Sequence, residues 1–429
     1  MKKLKTMALV ILVTVLALPA MHACKQAAEA PHGALAKEVN IAFITDVTGP
    51  QAAYLSNGTD GSMGYLDYMN EEKGGIDGVR VNVTLYDIAG SAGKVKEAQQ
   101  RAKEDGAIAV LSNVTQVTEA ALDTIDTLRM PQICGNPGVA GLWSDWIYPC
   151  NLNTLHDIGV NLLDGTLAIW EQEGKPGKPV VGFAVMSTMS GALVSLGFVR
   201  PCKGYDIPYA EVKGVEVITE RFAVDSTDLT PQLARLKEAG AEKYIIGGGG
   251  PNAVAALKAM RVLGLDPKDA VISFTTASAD LVALADPEII ENVHIQSTLW
   301  SGLSAPGDKQ PQIMPLAAEL WEKKHAGQPL HDVFLYGMIN AMATEEAIRL
   351  ALEKLSADEL TSKTLKEHGL NRVTDFTAGG LLAEPGLNWR AGVGNHDGPC
   401  SWFIWQYRNG HNHLVFQEKN CPYIKCKLD

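Results

Sequence analysis

The chain has 429 residues, 46% of them hydrophobic and 20% charged, with a formal net charge of −12. That is too long for a single core and suits two globular lobes with extensions. The acidic balance argues against a nucleic-acid partner, which needs a basic face.

Residues 1–23 read as a targeting segment. Lys2, Lys3 and Lys5 make a basic start, Met7 to Leu18 is apolar, and Pro19 and the small Ala23 follow. The apolar run is short for a bilayer span, so it reads as a cleaved export signal. Cys24 directly after Ala23 resembles the lipobox cysteine of bacterial lipoproteins and is expected to carry lipid. There are seven cysteines. With Cys24 lipidated, six remain for an oxidising compartment. Cys134 and Cys150 flank a stretch rich in Gly, Pro and Trp and are expected to bridge, a closure worth about 3 kcal/mol. Cys202, Cys400, Cys421 and Cys426 would then form two more bridges, in one of three pairings.

The opening of the mature chain sets the pattern. Val39 to Ile44 is a short apolar run that reads as a buried strand, and Thr45 to Pro50 stops it. Met63, Leu66 and Met69 mark one face of a helix, which ends at the glycines of Lys73 to Gly78. Val79 to Tyr86 then alternates at period two. Strand, loop, helix, turn and strand make a βαβ unit with parallel strands. The unit repeats: a helix over Ala92 to Asp105, a strand over Ala107 to Leu111, a helix over Gln116 to Leu128 and a strand over Pro131 to Cys134. Polar loops follow the strands at Ser112 to Thr115 and Gly135 to Gly138.

A second α/β run starts at Leu155, with strands expected at Pro179–Met186, Val215–Arg221, Lys243–Ile246 and Val271–Phe274. Val293 to Leu299 is expected to return to the first lobe as a strand. Helices follow over Gln310–His325 and Val333–Leu355, and Ser356 to Glu359 has the residues of a capping box. Near the end, Trp402–Tyr407 and Leu414–Phe416 flank Arg408, Asn409 and Gly410, the signature of a hairpin.

Several catalytic and cofactor readings fail on their own residues. Gly247 to Gly250 run into Pro251 and Asn252, so neither a phosphate loop nor a dinucleotide fingerprint is present. His396, Cys400, His411, His413, Cys421 and Cys426 contain no C-x-x-C pair, and an exported chain oxidises its thiols, which favours disulfides and surface histidines over a metal. There is no G-x-S-x-G and no H-E-x-x-H. An enzyme, such as a dehydrogenase on a doubly wound fold, is therefore disfavoured, and no cofactor is expected.

The opening also resembles a known family. The motif Thr48–Tyr54, the helix end Asn70–Gly78 and the strand end at Asp87 are similar, in order and spacing, to the branched-chain amino-acid-binding proteins. These are type I periplasmic solute receptors of ABC importers. The agreement continues more loosely to about Leu355. The resemblance implies two doubly wound parallel-sheet lobes joined by a three-strand hinge, with residues 39–153 plus 292–354 in the first and 154–291 plus 355–429 in the second. It implies crossings near Asn153, Glu291 and Leu355. It also implies a periplasmic monomer that binds a small molecule between the lobes and docks on an inner-membrane permease.

Residue by residue, it implies that Tyr54 covers the ligand and that Ser112 and Asn113 form the loop that binds a carboxylate. Asn136 and Gly138 lie in the next ligand loop, and Ser190, Gly249 and Thr276 stand at the second lobe's ligand positions. Helix N-termini and a hydroxyl suit an acid, although Ser112 and Asn136 also suit plain capping roles. The second lobe departs from the family. Ser190 and Gly249 replace bulk, and no carboxylate stands at Thr275 and Thr276 to receive an ammonium. Unless Asp280, Asp332 or Glu384 supplies that charge, this favours an aromatic or other organic acid over a plain amino acid. Trp143, Trp146 and Trp300 are candidates to stack on such a ligand. A sensor of the same fold is the alternative to a transport receptor.

Overall fold

The computed structural model describes residues 37–49, 51–138, 143–151, 155–187, 209–223, 225–273, 278–306, 309–392, 396–399 and 401–418. The export signal, Cys24, Ser190, Cys202, Thr276, Cys400, Cys421 and Cys426 lie outside them, as does the Tyr54 side chain.

Two sheets carry the fold. The first contains β1 (Lys37–Thr45), β2 (Val79–Asp87), β3 (Ala109–Ser112), β4 (Gln132–Cys134) and β5 (Ile147–Pro149). Its order is β2-β1-β3-β4-β5, and every pairing is parallel. Parallel strands need crossovers, and helices supply them. These are α1 (Ala52–Glu72), α2 (Ala92–Glu104), α3 (Thr115–Glu119) and α4 (Leu122–Leu128). The strands are apolar on both sides because helices cover both faces. Along β1, Ile41 and Phe43 enter one core cluster, and Ala42 and Ile44 enter the other.

The second sheet repeats the plan. It holds β6 (Val181–Met186), β7 (Val217–Phe222), β8 (Lys243–Gly247), β9 (Ala270–Ile272) and β10 (His294–Ser297) in the order β7-β6-β8-β9-β10. Counted from β6, this is again 2-1-3-4-5. Its helices include α5 (Leu155–Gln172), α6 (Tyr209–Lys213), α7 (Thr230–Glu238), α8 (Gly250–Val262), α9 (Ser278–Leu284) and α10 (Pro287–Ile290).

Three features differ from the sequence reading. First, β10 pairs in parallel with β9, so the strand expected in the first lobe belongs to the second sheet. A fully buried strand of four residues reads the same in either place, since its neighbours are not written in its own residues. Second, the tail from Leu355 onward divides between the sheets. Its earlier part packs beside the first: Tyr148 donates to the Asn371 side chain at 2.8 Å, and Trp389 Nε1 donates to Pro149 O at 3.0 Å. The strand pair β11 (Asn388–Trp389) and β12 (His396–Asp397) lies in this part. The later part, β13 (Trp402–Arg408) and β14 (His411–Glu418), extends the second sheet past β10 with antiparallel pairing. Asn409 and Gly410 both have positive φ, 51° and 85°, as a tight two-residue hairpin requires.

Third, Cys134 and Cys150 are both free and fully buried. Cys134 ends β4 and pairs with Pro149, the last residue of β5, so Cys150, one position further on, is sent by the pleat to the opposite face. Cys134 packs with Ile44, Val110 and Ile147, whereas Cys150 packs with Phe43, Ile133 and Tyr148. A disulfide requires Cβ vectors that converge, which this register forbids.

The chain therefore passes between the sheets from β5 to α5, from β10 to α11 (Met314–His325), and from β12 to β13. The helix after α11 is α12 (Asp332–Leu352), which crosses α1 at very close range. A Cβ on Gly337 would lie 1.9 Å from Gly58 O, and one on Gly61 would lie 2.1 Å from Phe334 O. Ser62 Oγ donates to Gly337 O at 2.8 Å across the same crossing.

Candidate functional site

Both sheets reverse strand order between their first and third strands, and an open α/β sheet receives ligands at the carboxyl ends of such strands. In the first sheet that edge is formed by the loops after β1, β3 and β4. The β1 loop is built by two carboxylates. Asp46, 2% exposed, accepts from Gly49 N and Gln51 N, each at 2.9 Å. Asp87 ends the neighbouring strand and accepts from Thr48 Oγ1 at 2.6 Å and from the backbone N–H groups of Val47 and Ala89 at 2.9 Å. The Thr48 hydroxyl, helped by these amides, holds the Asp87 carboxyl down at about 2. Gly49 is required because a Cβ there would meet Asp46 Oδ1 at 2.2 Å and the backbone of residues 89–90. The loop delivers the chain into α1, whose first turn contains no acidic residue. The first turns of α3 after β3 and, in the second sheet, of α8 after β8 likewise contain no acidic residue.

The β3 loop is tied inward. Ser112 is 1% exposed; its Oγ accepts from Val114 N at 3.1 Å and makes a longer 3.4 Å contact to Val114 O. Asn136 Oδ1 accepts from Gly138 N at 3.0 Å. Gly138 has a φ of +62° and lies under Glu119. Both polar side chains thus shape their own turns. Gly249 caps α8 at the matching edge of the second sheet, and an added Cβ there meets only Asn252 Oδ1, at 3.9 Å. Tyr54 falls in the first turn of α1. Of the candidate stacking residues, Trp300 is in the core against Phe403 and Trp405, while Trp146 lies under Lys366.

Sequence reasoning missed a line of buried amides behind these loops. Asn340, on α12, donates to Asn113 Oδ1 at 2.5 Å and to Ser112 O at 3.4 Å. It accepts from Asn151 Nδ2 at 2.9 Å, and the same Asn151 nitrogen donates to Tyr336 O at 3.3 Å. Those two backbone carbonyls fix the orientation of all three amides. The line joins the β3 loop to the residue that starts the first crossing. The available signal was an asparagine midway along the apolar face of α12. Among the described residues no group of three or more His, Cys, Asp or Glu side chains is placed to hold a metal.

A family model for periplasmic binding proteins matches residues 38–398. No curated protein matches the chain by sequence. Among solved structures, a branched-chain amino-acid ABC transporter protein from Thermus thermophilus with bound valine is similar at a TM-score of 0.72 and 19% identity, over 90% of this chain and 97% of that one. A fatty acid ABC transporter substrate-binding protein from Thermomonospora curvata gives 0.70 and 17%, over 90% and 93%. A leucine binding protein from Thermotoga maritima gives 0.66 and 15%, over 89% and 99%.

Proposed function

Because the chain belongs to the periplasmic binding protein family, we propose that it is an extracytoplasmic solute receptor of an ABC importer, one that binds a small carboxylate between its lobes and delivers it to a membrane permease. The observation that carries this reading is the matched 2-1-3-4-5 order of the two sheets, which gives each lobe the same ligand-receiving edge. The ligand class rests on two supports. The first is the set of helix N-termini without acidic first turns. The second is the shared chemistry of the molecules named for the similar structures: valine, leucine and a fatty acid all present a carboxylate.

In this reading the acid meets backbone N–H groups of the β3 and β4 loops. The Ser112 hydroxyl accepts from Val114 N, and on binding its proton leaves the long contact to Val114 O for the ligand. Asn113, Asn136 and Gly138 hold those loops, Tyr54 covers the ligand, and Ser190, Gly249 and Thr276 face it from the other lobe. The small residues at 190 and 249 favour an acid larger than valine, and the absence of a carboxylate at 275–276 favours one without an α-ammonium. Export by residues 1–23 and lipid on Cys24 would hold the receptor at the outer face of the inner membrane as a monomer.

A thermal-shift screen tests the proposal, with aliphatic and aromatic acids, amino acids and the neutral amides of each. Acids should raise the midpoint and their amides should not. If leucine or valine alone stabilises, the organic-acid preference is wrong. If no carboxylate does, the receptor reading of this edge is wrong.

A further inference from the structure

The second lobe contains a group of buried polar side chains that the ligand-receiving edge does not use. Gln296, in β10, is fully buried, and neither end of its amide has a hydrogen-bonding partner among the described residues. Thr298 Oγ1, two residues on where the strand ends, is equally buried and equally unpartnered. Trp402 Nε1, at the start of β13, is a third such group. The antiparallel register sets Gln296 opposite Ile404, so the two share a face, and Trp402 lies two residues from Ile404 on that same face. Above them runs α5. It comes so close that a Cβ on its Gly165 would meet Ile404 Cδ1 at 2.5 Å and Trp402 Cζ3 at 3.2 Å. Native interiors leave few buried polar groups unsatisfied. A glutamine that forgoes both ends of its amide beside two further orphans is a concentrated exception.

We propose that this layer between α5, β10 and β13 is a built site for bound water, a small hydrated seam whose molecules link Gln296, Thr298 and Trp402. The chemistry selects the guest. The three side chains offer donors in the Gln296 amide N–H groups and the Trp402 indole N–H, an acceptor in the Gln296 carbonyl and a Thr298 hydroxyl that can do both, none of them charged. An ion enclosed there would be without a counter-charge. A guest that both donates and accepts, and fits beneath a glycine-level helix contact, is water.

The position gives the seam its role. α5 follows the first passage between the sheets, β10 precedes the second and β13 follows the third. The end of β10 and the start of β13, beside two of these passages, therefore meet at one layer under the middle of α5. Direct side-chain bonds would lock those segments at one angle. Water bonds can exchange partners as the segments shift, without stranding a buried group.

The test uses the exported mature chain. A high-resolution crystal structure should show ordered water within hydrogen-bonding distance of Gln296 and of Thr298 or Trp402. Density for a dry contact would overturn the proposal. The sign of a stability change is the second readout. If the groups are hydrated, Gln296→Leu removes a partner from water that still serves Thr298 and Trp402, and the thermal midpoint falls by about 2 °C or more. If they are dry orphans, the same change removes a penalty and the midpoint rises, which refutes the seam. Should Gln296→Leu fail to fold, Thr298→Val carries the same opposed signs. Combined with the milder Gln296→Met, it should also be non-additive, since both act on one water group. Strict additivity would overturn the linkage.

Discussion

Asp87 shows how one side chain shapes the loop that follows β1. Its carboxylate gathers a hydroxyl and backbone N–H groups, and those bonds hold its folded pKa at about 2, below the ordinary value near 3.9. A depressed carboxylate stabilises the fold above its unfolded pKa, and that contribution is lost as the pH falls through the folded one. Protection of the Val47 and Thr48 amides against hydrogen exchange should therefore hold at neutral pH and decline between about pH 4 and pH 2. Asp87→Asn should abolish that step. An unchanged decline in the variant would assign it to another group.

Ser112 gives a sharper test. If its hydroxyl meets a carboxylate, Ser112→Ala should weaken ligand binding roughly tenfold or more, the usual worth of a hydrogen bond to a charged group. Isothermal titration against the best acid from the screen measures this. Loss of thermal stability with affinity intact would leave Ser112 as a turn-former. The buried cysteines make a third prediction. Burial pushes both thiols well above their ordinary range, so Cys134 and Cys150 should resist alkylation in the folded protein and react only on unfolding. Mass spectrometry of peptides spanning the two positions should find both as thiols. A linked 134–150 peptide would contradict the register of β4 and β5.

Among the elements, α12 does the most positioning. Its Gly337 and the glycines of α1 bring two backbones into contact, and its Asn340 ties the β3 loop to the first crossing. Asn340→Leu would strand a buried acceptor on Asn113 and weaken the hold on Asn151. It should cost about 2–4 kcal/mol of unfolding free energy in urea titration. A cost near zero would show that the amide line carries no stability. Gly337→Ala has nowhere to place its methyl short of moving a helix, and should destabilise by about 1–3 kcal/mol or more.

These elements also show what a sequence can and cannot tell. The βαβ units of the first sheet were legible because alternation, glycine stops and helical spacing are local signals, and the Asn409–Gly410 hairpin was legible for the same reason. The placement of β10 was not, because pairing partners leave no mark on a short buried strand. The Cys134–Cys150 bridge failed for a related reason: sequence separation says nothing about which face each side chain takes. Ser112 and Asn136 were recognised as loop residues, but their inward bonds to Val114 and Gly138 depend on turn geometry that composition does not carry.

At the scale of the molecule, the two matched sheets and three passages are the architecture of a hinge, and closure around a ligand is the expected motion. Small-angle scattering should show the radius of gyration falling when a saturating acid from the screen is added. An unchanged profile alongside clear binding would mean that the ligand is taken up without lobe movement.

The late entry of β13 beside β10 also bears on how the protein is made. His294 cannot find Gln406 until much of the intervening chain has been threaded out and folded against the other sheet. Contacts so distant along the polypeptide form slowly. During synthesis the flank of β10 therefore stands bare, an open strand edge until β13 arrives to cover it. Ribosomal or translocon stalling before Trp402 would leave a half-sealed intermediate, the species most in need of a chaperone.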